Sequence, residues 1–311
     1  MNKSGAGEEA DGSSTSLEAN GEQARFPRIT VVTAVYNGET YLEDTIRSLV
    51  YQGYPNLEYI IVNDGSTDRT AEIIRDYERY LTAQINQTNR GLYAALNAGF
   101  ARSTGEVMGW LNCSDKLHTG GLAAVGSVFA TFPEIEWITG RPTGFNILGM
   151  TTHIDILKRW SRFRFLAGAN QYIQQESTFW RKSLWERAGG GVDSSYRDVG
   201  DFELWVRFFR HARLYSVDCL IAGYRFHPDA ISIAGRDIYD RRCNEIIERE
   251  LRSNTSRPAI RLFRLVSRKV MRIPKVRGLW NRTVMRGLYE LPGPDWAPFI
   301  ECGSDGWVMR R

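Results

Sequence analysis

Two strand-like runs that each end in an acid constrain the fold of this chain more than any other feature. Leu57–Val62 gives way to Asn63, Asp64 and a glycine turn at Gly65, while Glu106–Asn112 leads into Ser114 and Asp115. A strand covered on both faces needs a near-continuous apolar run. A carboxylate at its end emerges at the carboxyl edge of a parallel sheet, where open α/β folds place their ligands. Two such acids, roughly fifty residues apart, predict one crevice suited to a nucleotide and a metal ion.

The sequence around these runs alternates in the same sense. Ile29–Val35 is β-branched and nearly all apolar, and Tyr36, Asn37 and Gly38 break it. Leu42, Ile46, Leu49 and Val50 then recur at helical spacing before Pro55. After Leu57–Val62, the stripe Ala71, Ile74 and Tyr77 marks a helix for which Ser66 or Asp68 is the candidate N-cap. A loop from Asn89 leads into a helix carrying Leu92, Leu96 and Phe100, which stops before Gly105. Alternating βα units predict an α/β fold with a mostly parallel central sheet flanked by helices. Beyond Gly121 the alternation loosens. Short apolar runs at Ile135–Thr139 and Leu214–Ala222, separated by helical stretches such as Phe202–His211, predict a mixed second half.

Composition sets the outer bounds. With 311 residues and 42% apolar content, the chain can bury a sizeable core. The formal net charge is only +4, yet residues 1–25 are acidic and the last third is rich in arginine. Residues 1–25 have no apolar block of the kind a secretory signal needs, and are expected to form a disordered tail. No apolar run approaches the roughly 18 residues of a membrane span. The cysteines Cys113, Cys219, Cys243 and Cys302 show neither C-x-x-C pairing nor partnered histidines, which argues against zinc or a disulfide framework and fits a reducing cytoplasm. Cys113 reads as a half-buried filler rather than a nucleophile. The glycine loops of P-loop and dinucleotide-binding folds are absent. That disfavours most kinase, ATPase and dehydrogenase readings, and leaves a fold that grips a nucleotide through strand-end carboxylates and a metal.

Six segments carry a resemblance. They are Thr-Ala-Val-Tyr-Asn-Gly at 33–38, Asn-Asp-Gly-Ser-Thr-Asp at 63–68, Asn-Arg-Gly-Leu-Tyr-Ala-Ala-Leu-Asn-Ala-Gly at 89–99, Gly-Trp-Leu-Asn-Cys-Ser-Asp at 109–115, Gln-Glu-Ser-Thr-Phe-Trp-Arg at 175–181 and Gly-Asp-Phe-Glu-Leu-Trp-Val-Arg at 200–207. In order and spacing they resemble the successive signatures of family 2 glycosyltransferases, from about Arg28 to about Ser232. The resemblance implies the GT-A fold and inverting transfer of a sugar from a nucleotide-diphosphate donor to a glycan or lipid-linked acceptor, in cell-surface polysaccharide assembly. It divides the chain into a donor-binding half over 26–118, an acceptor-binding half over 119–236 and a basic helical C-terminal extension over 237–311.

The same resemblance distributes roles. Ala34, Val35 and Tyr36 would close around base and ribose, and Asp64 would accept hydrogen bonds from the base, a task suited to a carboxylate. Asn89, Gly91, Asn97, Asn112 and Ser114 would complete the donor site. Asp115, with His227, would hold Mn²⁺ or Mg²⁺. Asp201 would take the acceptor's proton, which a positioned carboxylate accelerates by roughly 10²–10⁴-fold. Its rival Glu203 lies about 200° away around a helix starting there. Gln175 and Glu176 would line the acceptor side. Trp137 and Trp205 are either faces for sugar C–H groups or core residues, and Arg225 faces either the diphosphate or a surface carboxylate.

Two positions depart from the family pattern. Ser114 stands where an acid is common, and so does Ala94. Their neutrality makes a non-catalytic nucleotide- or glycan-binding relative the alternative reading. A sugar nucleotidyltransferase would need an arginine-bearing glycine loop near its N-terminus, which is absent. Finally, Arg257, Arg261, Arg264, Arg268 and Arg272 recur at helical spacing among apolar residues after Pro258. This basic amphipathic stretch, 257–289, predicts either peripheral contact with the inner face of a membrane or a helix packed on the domain. Nucleic acid is not an expected partner, since no reader motif accompanies the charge.

Overall fold

The apolar runs become strands and the periodic stretches become helices, in a computed structural model that describes residues 26–167, 172–228, 236–253, 258–271, 273–280, 283–284 and 296–310. The tail expected over 1–25 lies outside these residues. The strands are β1 (Ile29–Val35), β2 (Leu57–Asn63), β3 (Ala83–Asn86), β4 (Val107–Trp110), β5 (Lys116–Leu117), β6 (Trp137–Thr139), β7 (Thr143–Phe145), β8 (Thr151–Ile154), β9 (Thr178–Arg181), β10 (Tyr215–Val217), β11 (Ala222–Arg225), β12 (Phe299–Gly303) and β13 (Gly306–Arg310). The helices are α1 (Leu42–Val50), α2 (Thr70–Asp76), α3 (Leu92–Phe100), α4 (Gly121–Thr131), α5 (Arg162–Ala167), α6 (Lys182–Arg187), α7 (Gly200–His211), α8 (Arg236–Ser253), α9 (Pro258–Met271) and α10 (Pro274–Trp280).

Among the described residues, one sheet runs in the order β13-β12-β10-β6-β9-β4-β1-β2-β3, and a smaller one in the order β5-β11-β7-β8. Five of the eight pairings in the large sheet are parallel and three antiparallel, the latter all involving β9 or β13. The fold is thus the expected mostly parallel α/β sheet. Strand β1 shows why its sequence had to be apolar throughout. Val32 and Ala34 join one core layer while Val31 and Val35 join the other, so every position of the central strand is buried. In-register pairing of Val35 with Asn63, and of Val32 with Trp110, brings the carboxyl ends of β1, β2 and β4 to one edge.

The expectation for 237–311 needs a correction. Helices α8, α9 and α10 fill it to Trp280, but β12 and β13 form an antiparallel hairpin that adds to the large sheet beside β10. Ser304 and Asp305 make the short connection between Gly303 and Gly306, and Ile300 is fully buried in the core. A two-residue glycine-flanked turn between apolar runs is a hairpin signal, overshadowed in the sequence by the basic stretch before it.

The tryptophans also resolve toward packing. Trp137, Trp180 and Trp205 are 0–1% exposed and, with Trp110 and Phe208, form an aromatic cluster with centroids 5.3–5.8 Å apart. Neither Trp137 nor Trp205 presents a face to a sugar; they stabilise the sheet through burial and edge or offset ring contacts.

Candidate functional site

The crevice at the carboxyl edge is built first by lacing two loops together. Asn37 donates its N–H to the Ser66 hydroxyl at 3.0 Å and accepts the Thr67 N–H on Oδ1 at 2.8 Å. Gly38 donates to Thr70 Oγ1 at 2.8 Å, Glu39 to Asp68 Oδ2 at 2.9 Å, and the Glu39 carboxylate receives the Arg69 N–H in return. The N-cap position of α2 is Arg69 and not Ser66 or Asp68, although Asp68 does accept the N–H of Thr70, the first residue of the helix, at 3.0 Å. Short polar side chains that would compete with secondary structure inside a strand are here used as loop ties. Ala34 and Val35 are buried in the wall beneath, while Tyr36 is half exposed at its rim.

Asp64 sits at the head of this wall, 3% exposed. Its N–H bonds Val35 at 2.8 Å, and its carboxylate accepts the Gln87 amide at 2.7 Å, the Arg90 N–H at 3.0 Å and the Gly91 N–H at 2.8 Å. The acid therefore gathers the 87–91 loop onto β2. Gly65 permits the arrangement. Its φ of +81° is left-handed, and a Cβ there would stand 2.9 Å from the Asn89 nitrogen. Asn89 Oδ1 receives the Gly91 N–H at 3.1 Å, closing the turn before α3. Gln87 and Arg90 were not singled out in the sequence, although the Asn-Arg-Gly turn preceding a helix was a usable signal. The Arg90 side chain is exposed at this edge.

Beneath the crevice floor, Asn112 donates its amide to both Asp115 Oδ2 at 3.0 Å and Gln175 Oε1 at 3.1 Å. Gln175 in turn donates to the Trp110 carbonyl at 2.7 Å, tying the end of β4 to the turn before β9. Asp115 is fully buried, and its Oδ1 accepts the backbone N–H of Arg225 at 2.9 Å. Burial pushes the Asp115 carboxyl above its ordinary value. Glu176, also buried, is raised well above its own by burial first and then by the charges of Asp115 and Asp201, so the three acids share one electrostatic neighbourhood.

The structure separates the two candidate bases. Asp201 lies in the first turn of α7, and Tyr93 on α3 points its hydroxyl at Asp201 Oδ1 from 3.4 Å. Burial raises the Asp201 carboxyl to about 6. Tyr93 can approach because residue 200 is glycine, where a Cβ would meet the ring at 2.6 Å. Glu203 is instead taken up by Arg207, which donates Nε to both of its oxygens at 2.9–3.0 Å.

Other predicted residues have chiefly structural contacts. Asn97 uses both ends of its amide on Val192, receiving its N–H at 2.8 Å and donating to its carbonyl at 2.7 Å. Arg225 takes the second of the two alternatives, a carboxylate at the surface: Asp44, whose side chain is 42% exposed. Its guanidinium, 1% exposed, donates to the carbonyls of Ser114 and Ile147, pairs with Asp44 and lies over Tyr41. His227 packs on the other ring contact of Tyr41 at 5.0 Å. Burial and then the Asp115 charge push the Cys113 thiol up to about 12, which disfavours the thiolate a nucleophile needs.

Whether these residues fit a divalent ion can be judged from the donors themselves. Among the described residues, no three His, Cys, Asp or Glu side chains gather closely enough to hold one. What does meet is the Asp115 carboxylate and the Asn112 amide oxygen, which is buried with no hydrogen-bond partner. A buried carboxylate whose ionised form burial disfavours and an orphaned amide oxygen are hard donors of the kind Mg²⁺ or Mn²⁺ takes. Ser114 adds no charge, so the pair fits an ion with one acid only.

With this geometry in view, likeness to known proteins becomes informative. Residues 30–123 match the family described as Glycosyl transferase family 2. A poly-beta-1,6-N-acetyl-D-glucosamine synthase of Staphylococcus epidermidis is 31% identical over 182 residues, 56% of this chain and 44% of its own length. Across the first three curated relatives, the matched part spans between 41% and 64% of their length. Among solved structures, S. aureus TarS 1–349 in complex with UDP-GlcNAc superposes with a TM-score of 0.57 at 15% identity, covering 84% of this chain and 86% of that one. The mannosyltransferase PcManGT from Pyrobaculum calidifontis, in complex with GDP-Man and Mn²⁺, superposes with a TM-score of 0.51 at 15% identity, covering 86% and 88%. The fold is that of GT-A glycosyltransferases, and over residues 30–123 the chain is similar to glycosyltransferase family 2.

Proposed function

We propose that the chain is an inverting glycosyltransferase that moves a hexose or N-acetylhexosamine from a nucleotide-diphosphate donor to a glycan or lipid-linked acceptor, in polysaccharide assembly at the inner face of a membrane. The observation that carries this reading is the convergence of the laced donor wall around Asp64 with Asp115, Glu176 and Asp201 at one sheet edge. The relatives point the same way. One bears the name of a poly-N-acetylglucosamine synthase, and neighbours of the same fold are described with UDP-GlcNAc or GDP-Man.

In this reading Asp64 and the 87–91 turn hold the base, with Ala34, Val35 and Tyr36 beside it. Asn112 and Asp115 would hold Mn²⁺ or Mg²⁺, which when bound supplies Lewis-acid stabilisation of the leaving diphosphate. Asp201 accepts the proton of the acceptor hydroxyl while that oxygen bonds to the anomeric carbon and the bond to the diphosphate breaks. Tyr93 holds the Asp201 carboxylate toward the reacting centre. Gln175 and Glu176 shape the acceptor side from below.

A screen for donor hydrolysis and transfer over UDP-, GDP- and dTDP-sugars, started with UDP-N-acetylglucosamine, tests the proposal. Turnover with one class supports it. Nucleotide binding by isothermal titration with no turnover of any donor would favour a non-catalytic binder, the reading that Ser114 motivates.

A further inference from the structure

We infer that α9 and α10 form a docking face for an anionic lipid surface, a property that does not depend on the transfer reaction. Helix α9 has two unlike sides. Its inner side is fixed to the domain: Ile260 is fully buried, and Arg264, 6% exposed, donates to the Leu166 carbonyl at 2.9 Å and to Asn244 Oδ1 at 2.8 Å. Phe263 packs on Phe163 of α5 and on Trp280 of α10. A side anchored by a buried cation and two ring contacts leaves the opposite side pointing outward.

That outer side is apolar and basic at once. At about 100° per residue, Arg261, Leu265, Lys269, Leu262 and Val266 follow one another across an arc of about 140°. All five are exposed, with Leu262 at 61% and Leu265 at 53%. Helix α10 and the turn before it continue the apolar surface with Ile273, Val276 and Leu279, the last 60% exposed. Isolated exposed apolar side chains are ordinary, but six on two consecutive helices and the turn between them make a patch of the kind that marks an interaction surface.

The charge around it selects the occupant. From Leu251 to Tyr289 the sequence contains no aspartate or glutamate, while Arg and Lys occur ten times between Arg257 and Arg286. A globular partner helix would meet alternating charges, whereas an apolar strip flanked by the exposed cations Arg261 and Lys269, in a stretch of sequence free of acids, matches phosphate headgroups above acyl chains. No helix among the described residues is long and apolar enough to cross a membrane, so the chemistry is that of a helix lying in the interface plane. Lys269, in the middle of the arc, has a stem long enough to lift its ammonium to headgroup level while its methylenes stay among the leucines.

The test uses the full chain and vesicles of phosphatidylcholine alone or with about 30% phosphatidylglycerol, sedimented at about 0.1 M and about 0.5 M salt. The parent should partition at least tenfold more strongly to anionic vesicles, and less at the higher salt. Arg261→Ala with Lys269→Ala should weaken partition by about thirty-fold, roughly five-fold per cation removed. Leu262→Ser with Leu265→Ser should abolish it while leaving thermal unfolding and nucleotide binding unchanged. Equal partition to neutral and anionic vesicles, or variants that sediment like the parent, overturns the inference. So does a concentration-dependent dimer in sedimentation velocity that the serine variant dissolves, which would make a second copy the occupant.

Discussion

Replacing Asp201 by asparagine should make the protein more stable and nearly inactive, and the two effects come from one cause. Burial holds the folded carboxyl at about 6, against about 3.9 in an unfolded chain. A shift of about 2 units corresponds to about 3 kcal/mol by which the ionised acid disfavours the native state at neutral pH. The sign follows from proton binding. Between about 3.9 and 6 the native state holds the proton more tightly than the unfolded one, so this group's contribution is fully present below about pH 4. It is lost as pH rises through about 6. Asparagine keeps an oxygen for the Tyr93 hydroxyl and does not titrate. At pH 8 the Asp201→Asn protein should therefore melt about 6 °C higher, at roughly 2 °C per kcal/mol for a chain of this size. Below pH 4 the two melting curves should coincide. Turnover should fall by roughly 10²-fold or more with nucleotide affinity intact, and the parent's kcat/KM should show an acid limb near pH 6. Differential scanning fluorimetry across pH, paired with steady-state rates, reads all of this. A melting gap that is absent at pH 8, or that does not change with pH, refutes the burial argument, and an unchanged turnover removes Asp201 from the mechanism.

Three other outcomes are expected. Asp64→Ala leaves the Gln87 amide and the Arg90 N–H without their acceptor and the Gly91 N–H with Asn89 alone, so it should cost about 2–4 kcal/mol of stability in denaturant titrations and at least tenfold in nucleotide affinity by calorimetry. Gly200→Ala would drive a methyl into the Tyr93 ring, and should lower turnover by about tenfold with little change in nucleotide binding, because it moves the partner of Asp201 and not the donor wall. Ser114→Asp adds a second acid beside Asp115, and should lower the Mn²⁺ concentration needed for half-maximal nucleotide binding by about tenfold; an unchanged metal requirement would place the ion elsewhere.

The donor half was legible because its signals are local. A buried parallel strand must be apolar at every position, so β1 and β2 could be read almost to the residue, and Asp64 after β2 followed. Edge strand β3 was missed because Ala83, Gln84, Ile85 and Asn86 lack a buried face on both sides. The smaller sheet was missed because β5, β7 and β11 are two to four residues long and held by non-local pairing and by the Arg225 guanidinium. No window of sequence announces that an arginine beside a histidine will be buried among carbonyls. Arg207, likewise, takes up Glu203 from four residues along the helix while Asp201 faces Tyr93, contacts whose partners no single window of sequence distinguishes. Asn97 and Gln175 show the limit of carrying roles by resemblance: a motif position fixes the residue type, while its hydrogen bonds depend on segments far away in sequence.

The lacing between residues 37–39 and 66–70 has a consequence for how a donor arrives. Each of those ties removes freedom from a loop before any ligand is present, so the wall that receives the base is already rigid, and little ordering entropy remains to be lost on contact. A wall of this kind discriminates by refusing shapes it cannot accommodate. Association should then proceed in a single kinetic phase on this side of the crevice, with wrong bases leaving quickly rather than being remoulded into place.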